Sequence, residues 1–156
     1  HPTALILSRQ ALPTLDRSKY ASADGLAKGA YVLADSENPE VILIATGSEV
    51  SLALAAHDKL VAQGVASRVV SMPSWYRYEK QDAAYKESVL PKGVKARLAI
   101  EMAGEIGWDR YVGLDGRTIT MSTFGASAPI AKLQDKFGFT VDNVVKVATE
   151  MLGEAA

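Results

Sequence analysis

The chain has 156 residues, 48% of them hydrophobic and 22% charged, with a net charge of −1. That is the balance of one globular domain, or a domain with an attachment, and it forces no basic surface, so nucleic acid or an anionic membrane is not an expected partner. Cysteine is absent, which excludes disulfides, thiolate metal sites and cysteine nucleophiles, and no apolar run reaches the ~18 residues of a membrane helix.

His1-Pro2-Thr3-Ala4 carries neither an initiator methionine nor a signal core, so a fragment of a longer protein is expected. Residues 4–8 read as a short buried strand with Arg9 and Gln10 at its polar end. Residues 11–28 then lose periodicity: Pro13, Asp16, Arg17, Ser18, Ser22, Asp24 and Gly25 form loops. An interdomain linker is the expected reading, because loops beyond about 12–15 residues are uncommon inside a compact domain.

Residues 30–34 form the next predicted strand, and a turn over 35–40 leads into Val41-Ile42-Leu43-Ile44-Ala45-Thr46. So short a connection cannot make a parallel crossover, so these two strands are expected to pair as an antiparallel hairpin. A Gly47-Ser48 corner follows, then a helix over 49–63 ended by Gly64, then a strand over 67–72. Pro73-Ser74-Trp75-Tyr76-Arg77-Tyr78 reads as an aromatic turn. A helix over 81–89 is stopped by Pro91 and Gly93. Residues 96–101 form a strand, 103–111 a short helix with Ile106 and Trp108, and 117–121 the last strand. Ser127 is expected to cap a helix that ends before Gly138, and Thr140 a final helix over 141–152. The sum is an α/β three-layer sandwich: a mixed five-stranded sheet, four strands parallel and one antiparallel, with helices on both faces.

In such sheets the carboxyl ends of the parallel strands form the ligand crevice. Four loops should meet there: 46–49, 71–75, 101–105 and 122–129. Gly47, Ser48 and Ser127 could present backbone N–H groups and hydroxyls to a small anion, although each serine also reads as an ordinary cap. Neither a phosphate-binding loop nor a three-glycine dinucleotide fingerprint is present. Glu101 and Glu105 could act as paired carboxylates, with a solvated loop the favoured reading. His1 is terminal and His57 lies within a helix, where packing is the ordinary role. With no histidine pair and no clustered acids, no transition-metal site is expected. Trp75, Tyr76 and Tyr78 could stack a ligand or form a buried turn or subunit contact. Arg9, at a strand end beside Ser8 and Gln10, suits bidentate binding of a phosphate or carboxylate, with a plain surface charge the default reading from spacing alone.

Several stretches also resemble transketolase, in the family's own order. They are Leu7-Ser8-Arg9-Gln10, Gly29-Ala30-Tyr31-Val32-Leu33, Ile44-Ala45-Thr46-Gly47-Ser48-Glu49-Val50, Arg68-Val69-Val70-Ser71-Met72-Pro73-Ser74, Ser88-Val89-Leu90-Pro91 and Thr123-Phe124-Gly125-Ala126-Ser127-Ala128-Pro129. The likeness covers essentially the whole chain and is to the family's C-terminal end. It implies that residues 29–156 are the C-terminal α/β domain, and that residues 1–28 are the final strand of the preceding pyrimidine-binding domain plus a linker.

The resemblance further implies a cytoplasmic homodimer of the pentose phosphate pathway. Such an enzyme uses thiamine diphosphate with Mg²⁺ or Ca²⁺ to move a two-carbon ketol unit from a ketose phosphate to an aldose phosphate. Of the family's substrate residues only Arg9 has a counterpart here, as the group that binds the sugar phosphate. The cofactor-activating glutamate, the metal ligands and the catalytic histidines lie upstream in the family. No catalytic or metal residue is therefore assigned, and the fragment is expected to be inactive and to bind no cofactor. Its partners would be the upstream transketolase domains, with a structural, dimer-stabilising or regulatory role. The alternatives are the C-terminal domain of a related enzyme such as dihydroxyacetone synthase, or a small-anion-binding regulatory module.

Overall fold

The computed structural model describes Ala4 and residues 10–154; Arg9 and, apart from Ala4, the strand expected over 4–8 lie outside the described residues. Five strands form one sheet: β1 (Tyr31–Asp35), β2 (Val41–Ala45), β3 (Ser67–Ser71), β4 (Ala96–Ile100) and β5 (Arg117–Ile119). Their order across the sheet is β1-β3-β2-β4-β5. All five residues of β2 are buried, which is why Val41-Ile42-Leu43-Ile44-Ala45 shows no polar alternation. It lies in parallel register between β3 and β4, with Ala45 opposite Ser71 on one side and Ile100 on the other.

The expected hairpin does not form: β1 pairs antiparallel with β3, not with β2. The orientation is as expected and the neighbour is not. Skipping one strand requires a span of about 9.6 Å, and the five residues 36–40 reach roughly 16 Å when extended. The connection crosses the start of β3 and is pinned there. Ser36 N–H donates to the Ser67 carbonyl at 3.0 Å, Glu40 N–H to that of Ala66 at 2.8 Å, and Ala66 N–H to Glu40 Oε2 at 3.2 Å. Both long edges of β2 are thereby left to parallel partners.

Among the described residues six α-helices cover the sheet: α1 (Glu49–Ala62), α2 (Trp75–Glu79), α3 (Ala83–Val89), α4 (Asp109–Val112), α5 (Ile130–Phe137) and α6 (Val141–Glu154). Val41, Leu43, Leu98 and Ile100 face Leu54 and Leu60 of α1 and Val144, Ala148 and Met151 of α6. Ile42, Ile44, Val70 and Ala99 face the opposite way, toward Tyr78 of α2, Val89 of α3 and Tyr111 and Val112 of α4. The three layers therefore follow from the period-2 alternation of side chains along each strand. Because α1 leaves β2 on the first face and α4 leaves β4 on the second, the gap between these neighbours is the sheet's topological switch point.

Local chemistry sets the element boundaries. Thr140 Oγ1 accepts the Asn143 N–H at 3.2 Å and caps α6 as the sequence predicts. Residues 23–28, expected as linker, form a 3₁₀ helix begun by Ser22, whose hydroxyl oxygen accepts the Asp24 N–H. The chain then turns at Gly29 (φ +89°), where a Cβ would lie 2.4 Å from Ser74 O, so only glycine fits. The expected aromatic turn over 73–78 winds into α2, because Ser74 Oγ accepts the Arg77 N–H at 3.3 Å. The helix expected over 103–111 shrinks to α4. Gly107 takes φ +93° and presses on Trp75, with a Cβ there 2.7 Å from the ring, so the residues before it stay outside the helix.

Arg68 ties β3 to two neighbouring segments. Its guanidinium donates from Nε and Nη2 to both Asp35 oxygens at 2.9 and 2.7 Å, and from Nη1 to the Ser88 and Val89 carbonyls at 2.7 and 3.2 Å. The arginine side chain is 12% exposed, so this pair is better shielded than ordinary surface ion pairs. Arg68→Met is expected to lower stability by about 1.5–3 kcal/mol, the cost of losing charge-assisted hydrogen bonds and leaving carbonyls unpaired. Urea unfolding monitored by circular dichroism measures it.

Candidate functional site

The carboxyl ends of β2, β3, β4 and β5 meet at one crest, as the loop pattern predicts. At the switch point, however, the corner after β2 is occupied by the protein's own carboxylate. Gly47 (φ +57°) turns the chain, and Ser48 already has helical backbone angles, so its side chain makes no capping bond. Ser48 Oγ instead donates to Glu49 Oε1 at 2.6 Å. Glu49 Oε2 accepts the Met102 N–H at 3.3 Å from the loop after β4. Glu49 is only 4% exposed, and its place in the first turn of α1 puts a negative charge at the favourable end of the helix dipole. This bridge closes the switch-point crevice and divides the crest into separate clefts.

On one side a cavity of about 440 Å³ is lined by Thr46, Pro73, Trp75, Tyr76, Glu101 and Trp108, among others. Glu101 is half-buried; its backbone N–H donates to the Ile119 carbonyl at 3.0 Å, but its carboxylate meets no hydrogen-bond or ion-pair partner among the described residues. Burial, with the Glu49 charge adding to it, pushes its carboxyl up to about 7. Across the bridge a cleft of about 400 Å³ runs between Ser48, Glu49, Met102, Gln134 and Phe139. A third, of about 600 Å³, lies where Leu12, Pro13, Thr14 and Leu15 pass beside Thr46, Gly47 and Pro73.

The aromatic residues divide. Trp75 meets Trp108 edge to face with ring centroids 5.1 Å apart, and Tyr111 stands 5.4 Å from Trp75 and 6.0 Å from Tyr78. These rings make the floor of the cavity and the core beneath it, whereas Tyr76 is 72% exposed. Of the carboxylates read from the sequence, Glu105 is exposed and accepts from Thr118 Oγ1 at 2.9 Å. The neighbour of Glu101 in charge is Glu49, which the sequence reading left out. The available signal was positional: both residues lie just beyond the ends of adjacent parallel strands.

His57 is buried, with Nδ1 2.7 Å from Ser67 Oγ, and burial lowers its pKa despite the opposing Asp58 carboxylate. It is a packing residue. Ser127 is exposed in the loop after β5, and α5 starts without a side-chain cap. Pro129 precedes its first residue. Arg9 and His1 lie outside the described residues. Among the described residues no group of three His, Asp or Glu side chains could hold a metal ion, and no helix is long and apolar enough to cross a membrane. Nor does the β2–α1 corner fit a diphosphate, since Glu49 sets a carboxylate where that group needs donors.

A family profile described as the transketolase-like C-terminal domain matches residues 29–140. The chain is 57% identical over 152 residues to Transketolase 1 of Escherichia coli (strain K12), covering 97% of this chain and 23% of that protein. It is 49% identical over 155 residues to a transketolase of Geobacillus stearothermophilus, covering 98% and 23%. Among solved structures, a transketolase from Pichia stipitis in complex with sedoheptulose-7-phosphate superposes with a TM-score of 0.84 at 36% identity, over 93% of this chain and 20% of that one. The chain thus spans about a quarter of the length of the curated relatives it matches.

Glu101 sets a pH dependence whose sign follows from its position. Its folded-state pKa of about 7 lies above the ordinary 4.5, so the folded protein holds this proton more tightly than the unfolded chain does. The stabilisation is full below about pH 4.5 and is lost as pH rises to about 7. Allowing for partial solvent exposure, the loss is about 1–2 kcal/mol. Thermal melts of the chain and of Glu101→Gln at pH 5 and pH 8 are expected to show the variant gaining on the parent sequence at pH 8. The difference isolates Glu101 from His57, whose lowered pKa acts in the opposite direction below its ordinary 6.5.

Proposed function

The chain belongs to the transketolase family, as its C-terminal domain, and from that premise we propose that its parent enzyme transfers a two-carbon ketol unit from a ketose phosphate to an aldose phosphate. The single observation that carries this reading is the alignment with a curated transketolase at 57% identity over 97% of the chain. Residues 1–28 are read as the last strand of the preceding domain plus a linker, and residues 29–156 as the C-terminal domain. The start of the profile match at residue 29 and the tight turn at Gly29 support that boundary.

In this reading the parent is a cytoplasmic homodimer that binds thiamine diphosphate with Mg²⁺ or Ca²⁺ through its upstream domains. When bound, the cofactor supplies the carbanion chemistry that holds the two-carbon unit. The residues described here do not fit a metal–diphosphate pair, and no step of the reaction is assigned to them. What they do is build a five-stranded sheet with helices packed on both faces.

Arg9 is the one residue of the chain assigned to substrate, as the guanidinium that grips the sugar phosphate. The sugar-phosphate complex of the Pichia stipitis relative supports a phosphate-binding group in the parent enzyme. A secondary reading holds a small regulatory anion at Gly47, Ser48 and Ser127. The Glu49 carboxylate beside Ser48 opposes it.

Two measurements test the proposal. Calorimetric titration of the 156-residue chain with thiamine diphosphate and Mg²⁺ is expected to show no saturable heat, and the chain is expected to lack ketol-transfer activity. Saturable cofactor binding would contradict the assignment of the cofactor to the upstream domains. In the parent enzyme, Arg9→Ala is expected to raise KM for phosphorylated sugars by about 10- to 100-fold, the loss of a charge-assisted contact of about 1.5–3 kcal/mol. Unchanged kinetics would show that another group holds the phosphate.

A further inference from the structure

The crest differs in its chemistry from the rest of the surface. Eight large hydrophobic side chains are exposed among the described residues, and six of them belong to this end. Phe124 (99% exposed) and Ile106 (94%) project from the loops that leave β5 and β4, and Tyr76 (72%) stands at the start of α2. Ile130 opens α5, and Leu12 and Leu26 flank the cleft beside Gly47. Scattered exposed apolar residues are ordinary, but a concentration around one set of loops marks a surface that something covers.

Within this crest lies Glu101, a half-buried carboxyl beside the rings of Trp75, Tyr76 and Trp108, with Glu49 as its charged neighbour. Among the described residues no cation or hydrogen-bond donor meets it. A carboxylate held this way is costly unless a positive group arrives, and an aromatic wall is itself favourable to a lysine or arginine head group. The crest therefore fits a partner surface that is apolar at its margin and carries a cation at its centre.

The path of the chain says which partner. Residues 12–15 run along this same end, beside Thr46, Gly47 and Pro73. The curated relatives are roughly four times as long as the aligned segment, and the matching profile is that of a C-terminal domain. We propose that the crest is the face on which this domain seats against the upstream part of its parent polypeptide, with a lysine or arginine of that part entering the crevice to meet Glu101. The inference rests on the reading of the chain as the C-terminal domain of a longer transketolase.

The test uses the parent enzyme with a photo-crosslinking benzoyl-phenylalanine at position 106 or 124, and at position 114 as a control. Leu114 is fully exposed but precedes β5, at the opposite end of the sheet. Crosslinked peptides from positions 106 and 124 are expected to map upstream of the domain, and position 114 is expected to give none of them. Peptides from a second C-terminal domain, or no peptide crosslink at all, would overturn the seating. Glu101→Lys, which sets two cations against each other, is expected to cut the yield at position 106 by about tenfold, and the milder Glu101→Gln by less. Unchanged yields in both variants would overturn the charge pairing. Ketol transfer by the unaltered parent enzyme is assayed alongside: its absence would sink the functional reading, whereas activity without upstream crosslinks would sink only the seating.

Discussion

The structure depends on the burial of one strand. β2 has a neighbour on each edge and a helical layer on each face, and none of its five side chains reaches solvent. Side chains of this kind are worth about 1.5–3 kcal/mol each when fully buried, which is large beside a typical net stability of about 5–15 kcal/mol. Leaving either edge of this strand to an irregular segment would strand backbone N–H and C=O groups in an apolar layer. Two parallel partners satisfy them. The preceding strand is therefore pushed to the edge of the sheet, and the crossovers must use both faces.

From that arrangement the crest follows. A central strand with parallel neighbours sends four chain turns to one end, and winding on both faces opens the gap between β2 and β4. In many α/β proteins a ligand fills such a gap. Here Glu49 fills it, held by Ser48 on its own corner and by the Met102 amide across the gap. The closure leaves Glu101 stranded on the far side against aromatic rings. One carboxylate thus serves the fold, and the other lacks a complement among the described residues. The proposed interface would supply that complement.

Much of this was legible in the sequence, and the limits have physical causes. The apolar run at 41–45, the Gly47 corner and the following amphipathic segment specify strand, turn and helix through local rules, so the βαβ unit was read correctly. The three layers followed from it. The neighbour of β1 was not legible, because pattern reports how deeply a strand is buried and not which strand lies beside it. The helix over 103–111 was overestimated, because the backbone of Gly107 is fixed by Trp75, a residue distant in sequence. Glu49 and Glu101 went unpaired for the same reason: only the register of β2 against β4 brings their loops together. The role given to Arg9 rested on resemblance, since a guanidinium at a strand end is compatible with many tasks.

The account's central claim is that the crest is an interface whose other half lies elsewhere in the parent enzyme. Hydrogen–deuterium exchange, followed by mass spectrometry on the free chain and on the parent enzyme, tests it most directly. The account predicts that backbone amides of residues 102–108 and 122–128 exchange at least about tenfold more slowly in the parent, while those of 113–116 at the opposite end are unchanged. Equal rates at the crest in the two forms would contradict it.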